Sequence, residues 1–137
     1  MLGTASYPKD DVTPQTVLII EDDDNTAPLE IALAALDGVK VVILANGREA
    51  VELLRLPSMN IAAVVTDLHV PHVDGFELIK TIRADERYSH LPVVVVSGDT
   101  HPEVPERLRT LGADAFFSKP YSPAEVRKTL RGLLNAT

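Results

Sequence analysis

The chain has 137 residues, of which 45% are hydrophobic and 24% charged, with a formal net charge of -7. That is one domain with enough apolar material for its own core, and its acidity argues against nucleic acid as a partner. Cysteine is absent, which excludes a disulfide framework and a thiolate metal site, and no apolar run approaches the roughly 18 residues needed to span a bilayer. A cytoplasmic location is the expectation.

Residues 1–15 (MLGTASYPKDDVTPQ) hold two prolines and no apolar periodicity, and are expected to be a flexible leader or cloning remnant before a domain spanning 16–135. Thr16–Ile20 reads as a first strand. Asn25 or Thr26 is placed to cap a helix with Pro28 in its first turn and Leu29, Leu33 and Leu36 along one side. Asp37-Gly38 turns the chain into a second strand, VKVVILA, with Leu44-Ala45 at or past its end. Asn46-Gly47 has the look of a hairpin turn, but Ala50, Val51, Leu53 and Leu54 follow at helical spacing, so a strand-to-helix junction is predicted.

Pro57-Ser58 closes that helix. Ile61–Thr66 is apolar without alternation, as expected of a central strand covered on both faces. A loop through Pro71 leads to a helix starting at Asp74 or Gly75, with Phe76, Ile79 and Ile82 on one face. Pro92 leads into the fourth strand, VVVVS. Pro102 and Pro105 restrict the next helix and leave it about two turns before Gly112. Ala115–Ser118 is a short fifth strand, and Ser122 or Pro123 opens a last helix with Val126, Leu130, Leu133 and Leu134 inward. Strands alternating with helices through short loops predict a doubly wound α/β domain.

Polar residues stand at the ends of the apolar runs. Glu21-Asp22-Asp23 follows VLII, Asp67 follows IAAVVT, Ser97 ends PVVVVS, and Lys119 follows DAFFS. In an open parallel sheet the carboxyl ends of the strands share one edge, where ligands bind. The expected pocket suits a divalent cation and a phosphoryl group. Mg²⁺ takes oxygen ligands and keeps several waters, so Asp22 and Asp67 would each supply one carboxylate oxygen, with Glu21 acting directly or through water. A backbone carbonyl after Asp67 would complete the set. Carboxylates so close repel one another, and a cation relieves that. Asp67 is the candidate nucleophile, able to form an acyl phosphate if the cation, Lys119 and Ser97 neutralise charge on the equatorial oxygens. Any one of these residues alone also fits a wet strand end, and Lys119 alone fits a surface charge.

The ordered set VLIIEDD, VVTDLHVPHVDGFEL, VVVVSG and GADAFFSKPY resembles the receiver domain of bacterial two-component response regulators, from residue 16 to about 134. The gaps of 45, 30 and 22 residues from Asp22 to Asp67, Ser97 and Lys119 in turn suit that family. The resemblance implies a CheY-like (βα)5 domain with a five-stranded parallel sheet in the flavodoxin-like order 2-1-3-4-5. It implies Asp67 as phosphoacceptor, Ser97 and Lys119 as its catalytic partners, and Ser97 with Phe116 as the switch. It also implies a metal site of Glu21, Asp22, Asp67 and the main-chain carbonyl of His69, holding Mg²⁺ or Mn²⁺. The implied donor is a sensor histidine kinase or histidine phosphotransfer protein. The implied recipient of the signal is a downstream protein or a fused output domain, with no nucleic acid or membrane contacted by this domain. Such a domain catalyses only its own phosphorylation and dephosphorylation.

The chain departs from the family pattern in places. His72 stands where a small residue, usually glycine, follows the loop proline, so its ring, like that of His69, is expected either to lean over the pocket or to be exposed. Phe116 lacks a tyrosine hydroxyl and suits a more permanently buried ring. Tyr121 stands where phenylalanine is common, and Pro102 and Pro105 should reshape the fourth helix. Two other readings stay open: a phosphate-independent interaction module, and a metal-dependent phosphatase acting on small substrates.

Overall fold

The computed structural model describes residues 14–22 and 25–136. The leader expected over 1–15 falls, up to residue 13, outside the described residues, as does Asp23. The elements are β1 (Gln15–Ile20), α1 (Ala27–Ala34), β2 (Val39–Leu44), α2 (Gly47–Leu54), β3 (Ile61–Asp67), α3 (Gly75–Ala84), β4 (Val93–Ser97), α4 (Val104–Leu111), β5 (Ala115–Ser118) and α5 (Pro123–Asn135). Short 3₁₀ turns at Pro57–Met59 and Glu86–Tyr88 lead into β3 and β4. The five strands are parallel in the order β2-β1-β3-β4-β5, with β3 central as its unbroken apolar run predicts.

Alternate residues of the inner strands feed two cores. Leu18, Ile20, Val64, Val93 and Val95 pack with Leu54, Leu78, Ile79, Ile82 and Leu108, the layer of α2, α3 and α4. Val17, Ile19, Ala63, Val65, Val94 and Val96 pack with Leu29, Leu33, Val126 and Leu130 of α1 and α5. The predicted inward residues of α5 divide: Val126 and Leu130 are buried, whereas Leu133 and Leu134 are only half-buried.

Helix starts follow their capping chemistry. Asn46, Asp74 and Ser122 each accept a hydrogen bond from the backbone amide three residues on, Glu49, Glu77 and Glu125 respectively. Thr26 caps α1 without a side-chain bond, so that helix relies on Pro28 in its first turn. The proline-bounded α4 is short, at 8 residues, and also lacks a side-chain cap. β1 starts one residue earlier than predicted, because Gln15 donates to Gly38 O at 2.8 Å and pairs with Val39. Leu44 belongs to β2, buried and paired with Ile20.

At the end of the sheet away from the site, Arg83 of α3 acts as a staple. Its guanidinium donates to the carbonyls of Tyr88, Leu91 and Gly112 and to the Asp114 carboxylate. Asp114 also accepts the Val93 amide at 2.8 Å, so one side chain ties α3, α4, β4 and β5 together. Among the described residues, no helix is long and apolar enough to cross a membrane.

Candidate functional site

The carboxyl ends of β1, β3, β4 and β5 bring four of the predicted residues to one edge. Each arrives by the same rule: the last inward residue of a buried strand is followed by a polar one. Glu21 is 8% exposed, Asp67 7% and Ser97 0%, so the pocket floor is largely withdrawn from water. The Lys119 ammonium reaches both carboxylates, 2.6 Å from Asp67 Oδ2 and 3.0 Å from Glu21 Oε2. Backbone bonds set these side chains: Glu21 N–H donates to Leu44 O at 2.9 Å, and Lys119 N–H donates to Ser97 O at 2.9 Å. Asp67 Oδ1 accepts the His69 amide at 3.2 Å. The Lys119–Pro120 peptide is cis.

The loop after Asp67 is seated by two close approaches. A Cβ on Gly75 would lie 2.7 Å from Asp67 O and 2.8 Å from Leu68 Cα, so only glycine lets α3 start directly against the end of β3. A Cβ on Gly47 would lie 1.9 Å from Val73 O, and the Gly47 amide donates to Pro71 O at 3.3 Å. The first turn of α2 therefore presses on the loop that carries the backbone of residues 69–73. His72 takes a left-handed φ of 72°, a region glycine favours, and its Nδ1 meets Arg48 Nη2 at 3.2 Å. The His72 ring thus turns toward α2, and both loop histidines are exposed rather than buried over the pocket.

The electrostatics follow from burying two carboxylates beside one ammonium. Burial pushes Glu21 up most, Lys119 pulls it back only in part, and the Asp67 charge adds to the rise, leaving Glu21 at about 7. Burial also opposes the charge on Asp67, but Lys119 and the His69 amide outweigh it and hold that carboxyl below its usual range. Lys119 is desolvated too, yet its bonds to Asp67 and Glu21 hold it above the ordinary lysine range. The site thus keeps Asp67 ionised and leaves Glu21 on the edge of protonation, short of one unit of positive charge. That deficit, with oxygen donors only, fits a divalent cation.

Not every predicted residue joins this cluster. Asp22 is exposed, and among the described residues no three acidic or histidine side chains are arranged to hold a metal ion as they stand. Phe116 is half-buried against the core layer of α2–α4 rather than fully buried. Tyr121 is half-buried and lines a cleft beside Lys119 with Glu21, Pro28 and Pro123.

Sequence reasoning missed the neighbours of Ser97. The Asp99 amide donates to Ser97 Oγ at 3.1 Å. The Asp99 carboxylate meets His69 Nε2 at 2.9 Å through Oδ2 and His101 Nδ1 at 2.6 Å through Oδ1. Those contacts join two loops and leave no periodic or motif signal in either.

The family model for the response regulator receiver domain matches residues 17–131. The chain belongs to that family. It is a phosphoacceptor receiver domain, which catalyses only its own phosphorylation and dephosphorylation. Among curated proteins it is 30% identical over 121 residues to the polar-differentiation response regulator DivK of Brucella anthropi, covering 88% of this chain and 97% of that one. Among solved structures it is similar to the receiver domain of a sensor histidine kinase from Pseudomonas aeruginosa, with 26% identity, a TM-score of 0.74, and coverage of 89% of this chain and 98% of that one. That structure has a magnesium ion coordinated in its active-site cleft. The chemotaxis response regulator CheY4 of Vibrio cholerae is also 26% identical, with a TM-score of 0.76 over 88% of this chain and 99% of that one.

Proposed function

We propose that Asp67 is the residue of this receiver domain that takes the phosphoryl group, with Lys119 and Ser97 as its partners. The observation that carries the reading is the Lys119 ammonium held between Asp67 and Glu21, at 2.6 and 3.0 Å. An Asp67 oxygen attacks phosphorus, the bond from phosphorus to the donor's histidine nitrogen breaks, and that nitrogen leaves with its electron pair and takes up a proton. Asp67 becomes an acyl phosphate. Its depressed carboxyl keeps the nucleophile ionised at neutral pH. Lys119, released from the carboxylate it now contacts, is placed to follow the negative charge onto a phosphoryl oxygen.

Glu21, Asp22, Asp67 and the His69 carbonyl are the residues that would hold Mg²⁺ or Mn²⁺. The cation, when bound, supplies charge neutralisation for the phosphoryl oxygens. The likeness to a receiver domain that holds magnesium in its cleft supports this choice.

The donor is a histidine-phosphorylated kinase or phosphotransfer protein. Ser97 moves onto a phosphoryl oxygen in the phosphorylated state, and the half-buried Phe116 turns into the space it leaves. Phosphoramidate, whose phosphorus–nitrogen bond mimics phosphohistidine, tests the reading. With Mg²⁺ it should leave a hydroxylamine-labile adduct of about 80 Da on the wild type and none on Asp67→Asn. Equal labelling of the two proteins, or none on either, would refute it.

A further inference from the structure

Close to the phosphoacceptor cluster, two histidines meet one carboxylate between neighbouring loops. Asp99 lies in the loop between β4 and α4, yet its side chain is only 12% exposed. Three donors meet its carboxylate. His69 Nε2 reaches Oδ2 at 2.9 Å from the β3–α3 loop; His101 Nδ1 and the His101 amide reach Oδ1 at 2.6 and 2.9 Å. Those bonds, led by the two from His101, hold the Asp99 carboxyl well below its usual range. His69 follows Asp67 by two residues and Asp99 follows Ser97 by two, so the carboxylate bridges the loops that leave β3 and β4.

The bridge also fixes the switch hydroxyl. Ser97 is fully buried, and its Oγ accepts the Asp99 amide at 3.1 Å. Moving the Ser97 hydroxyl onto a phosphoryl oxygen would break its bond from the Asp99 amide, and residue 99 is itself held at both carboxylate oxygens. Room for the loop to move does exist. A cleft of about 280 Å³ is lined among others by Ser97, Asp99, His101, Pro105 and Phe116.

We propose that Asp99 is a latch, binding His69 of the neighbouring loop and His101 of its own so that the loop after Ser97 stays in its resting form until a phosphoryl group displaces it. The inference rests on Asp67 being the phosphoacceptor. Asp99 is a positioning residue here, acting through Ser97. A latch that stabilises the resting form lowers the fraction of molecules competent for the phosphorylated form, and apparent affinity for a phosphoryl mimic falls by the same factor. Both histidines are largely exposed, so each arm is a weak, screened contact. Together they should be worth about a three- to tenfold change in that equilibrium.

The test is titration of the full chain with beryllofluoride and Mg²⁺, followed by NMR. Asp99→Ala should bind about three- to tenfold tighter than wild type. His69→Ala and His101→Ala, which keep the Asp99 carboxylate, should each bind about two- to threefold tighter. The double variant His69→Ala/Asp99→Ala should bind no tighter than Asp99→Ala alone, because one contact has been removed twice. In the wild type, imidazole resonances of His69 and His101 should move as beryllofluoride saturates. Wild-type binding with unchanged or weaker affinity in the folded variants, or with static imidazole signals, overturns the latch and leaves Asp67 as phosphoacceptor intact. A wild type that binds no beryllofluoride overturns both.

Discussion

Replacing Lys119 by methionine keeps most of the side-chain volume and removes the charge on which two carboxylates depend. Glu21 and Asp67 have side chains only 7% and 10% exposed, while Lys119 is 29% exposed, so the pair is well desolvated on its acidic side and partly screened on the other. Breaking a fully buried pair costs about 3–5 kcal/mol and an exposed one costs about 1 or less, which places this change near 2 kcal/mol at pH 8. The sign with pH follows from Glu21. Its folded value, about 7, lies above the ordinary 4.5, so the stability its neutral form contributes is present below pH 4.5 and is lost as pH rises through 7. Without Lys119 that rise is larger, so the variant should lose stability more steeply than wild type across this window. Urea denaturation should show a loss of about 2 kcal/mol at pH 8, about 1 or less at pH 5, and a partial recovery at pH 8 on adding Mg²⁺. Equal losses at both pH values would refute the reasoning, since they would mean that Lys119 matters for packing rather than charge.

Other outcomes follow from single contacts. Gly47→Ala places a Cβ 1.9 Å from Val73 O, a backbone atom that cannot step aside, and should cost about 2 kcal/mol or more. Gly132→Ala in α5 meets nothing within 4 Å and should be neutral or stabilising by up to about 1 kcal/mol, which makes it the control in the same denaturation series. Arg83→Met strips hydrogen bonds from three backbone carbonyls and from Asp114 and should lower stability by about 3 kcal/mol, read from urea midpoints. Mg²⁺ affinity, measured by calorimetry, should rise with pH through about 7 as Glu21 gives up its proton. In Glu21→Gln that rise should be lost.

The layered architecture was legible because the strands are continuous apolar runs and each ends in a polar residue. Ile61–Thr66 shows both features and lies at the centre of the sheet, with Asp67 at its carboxyl end. Less legible was anything decided by backbone pairing. Gln15 enters β1 through its amide and the carbonyl of Gly38, a contact its polar side chain does not announce. Arg83 reads as a solvated residue on the face of a helix, and becomes a staple only because three chain segments end near it. At the site, strand-end position alone identified Glu21, Asp67, Ser97 and Lys119 as neighbours. The same rule pointed to Asp22, which lies past the end of β1 and is exposed. The turning of His72 toward Arg48, and the meeting of His69, Asp99 and His101, depend on loop geometry that carries no period.

The central claim is that Asp67, the nearer of the two carboxylates that touch Lys119, is the one that becomes phosphorylated. Brief reaction with phosphoramidate and Mg²⁺, reduction of the acyl phosphate with borohydride, and peptide sequencing by mass spectrometry tests it at the level of a single residue. The account predicts homoserine at position 67 and unmodified aspartate or glutamate at every other acidic position. Homoserine at another position, or none at 67 when intact mass shows an adduct, would contradict it.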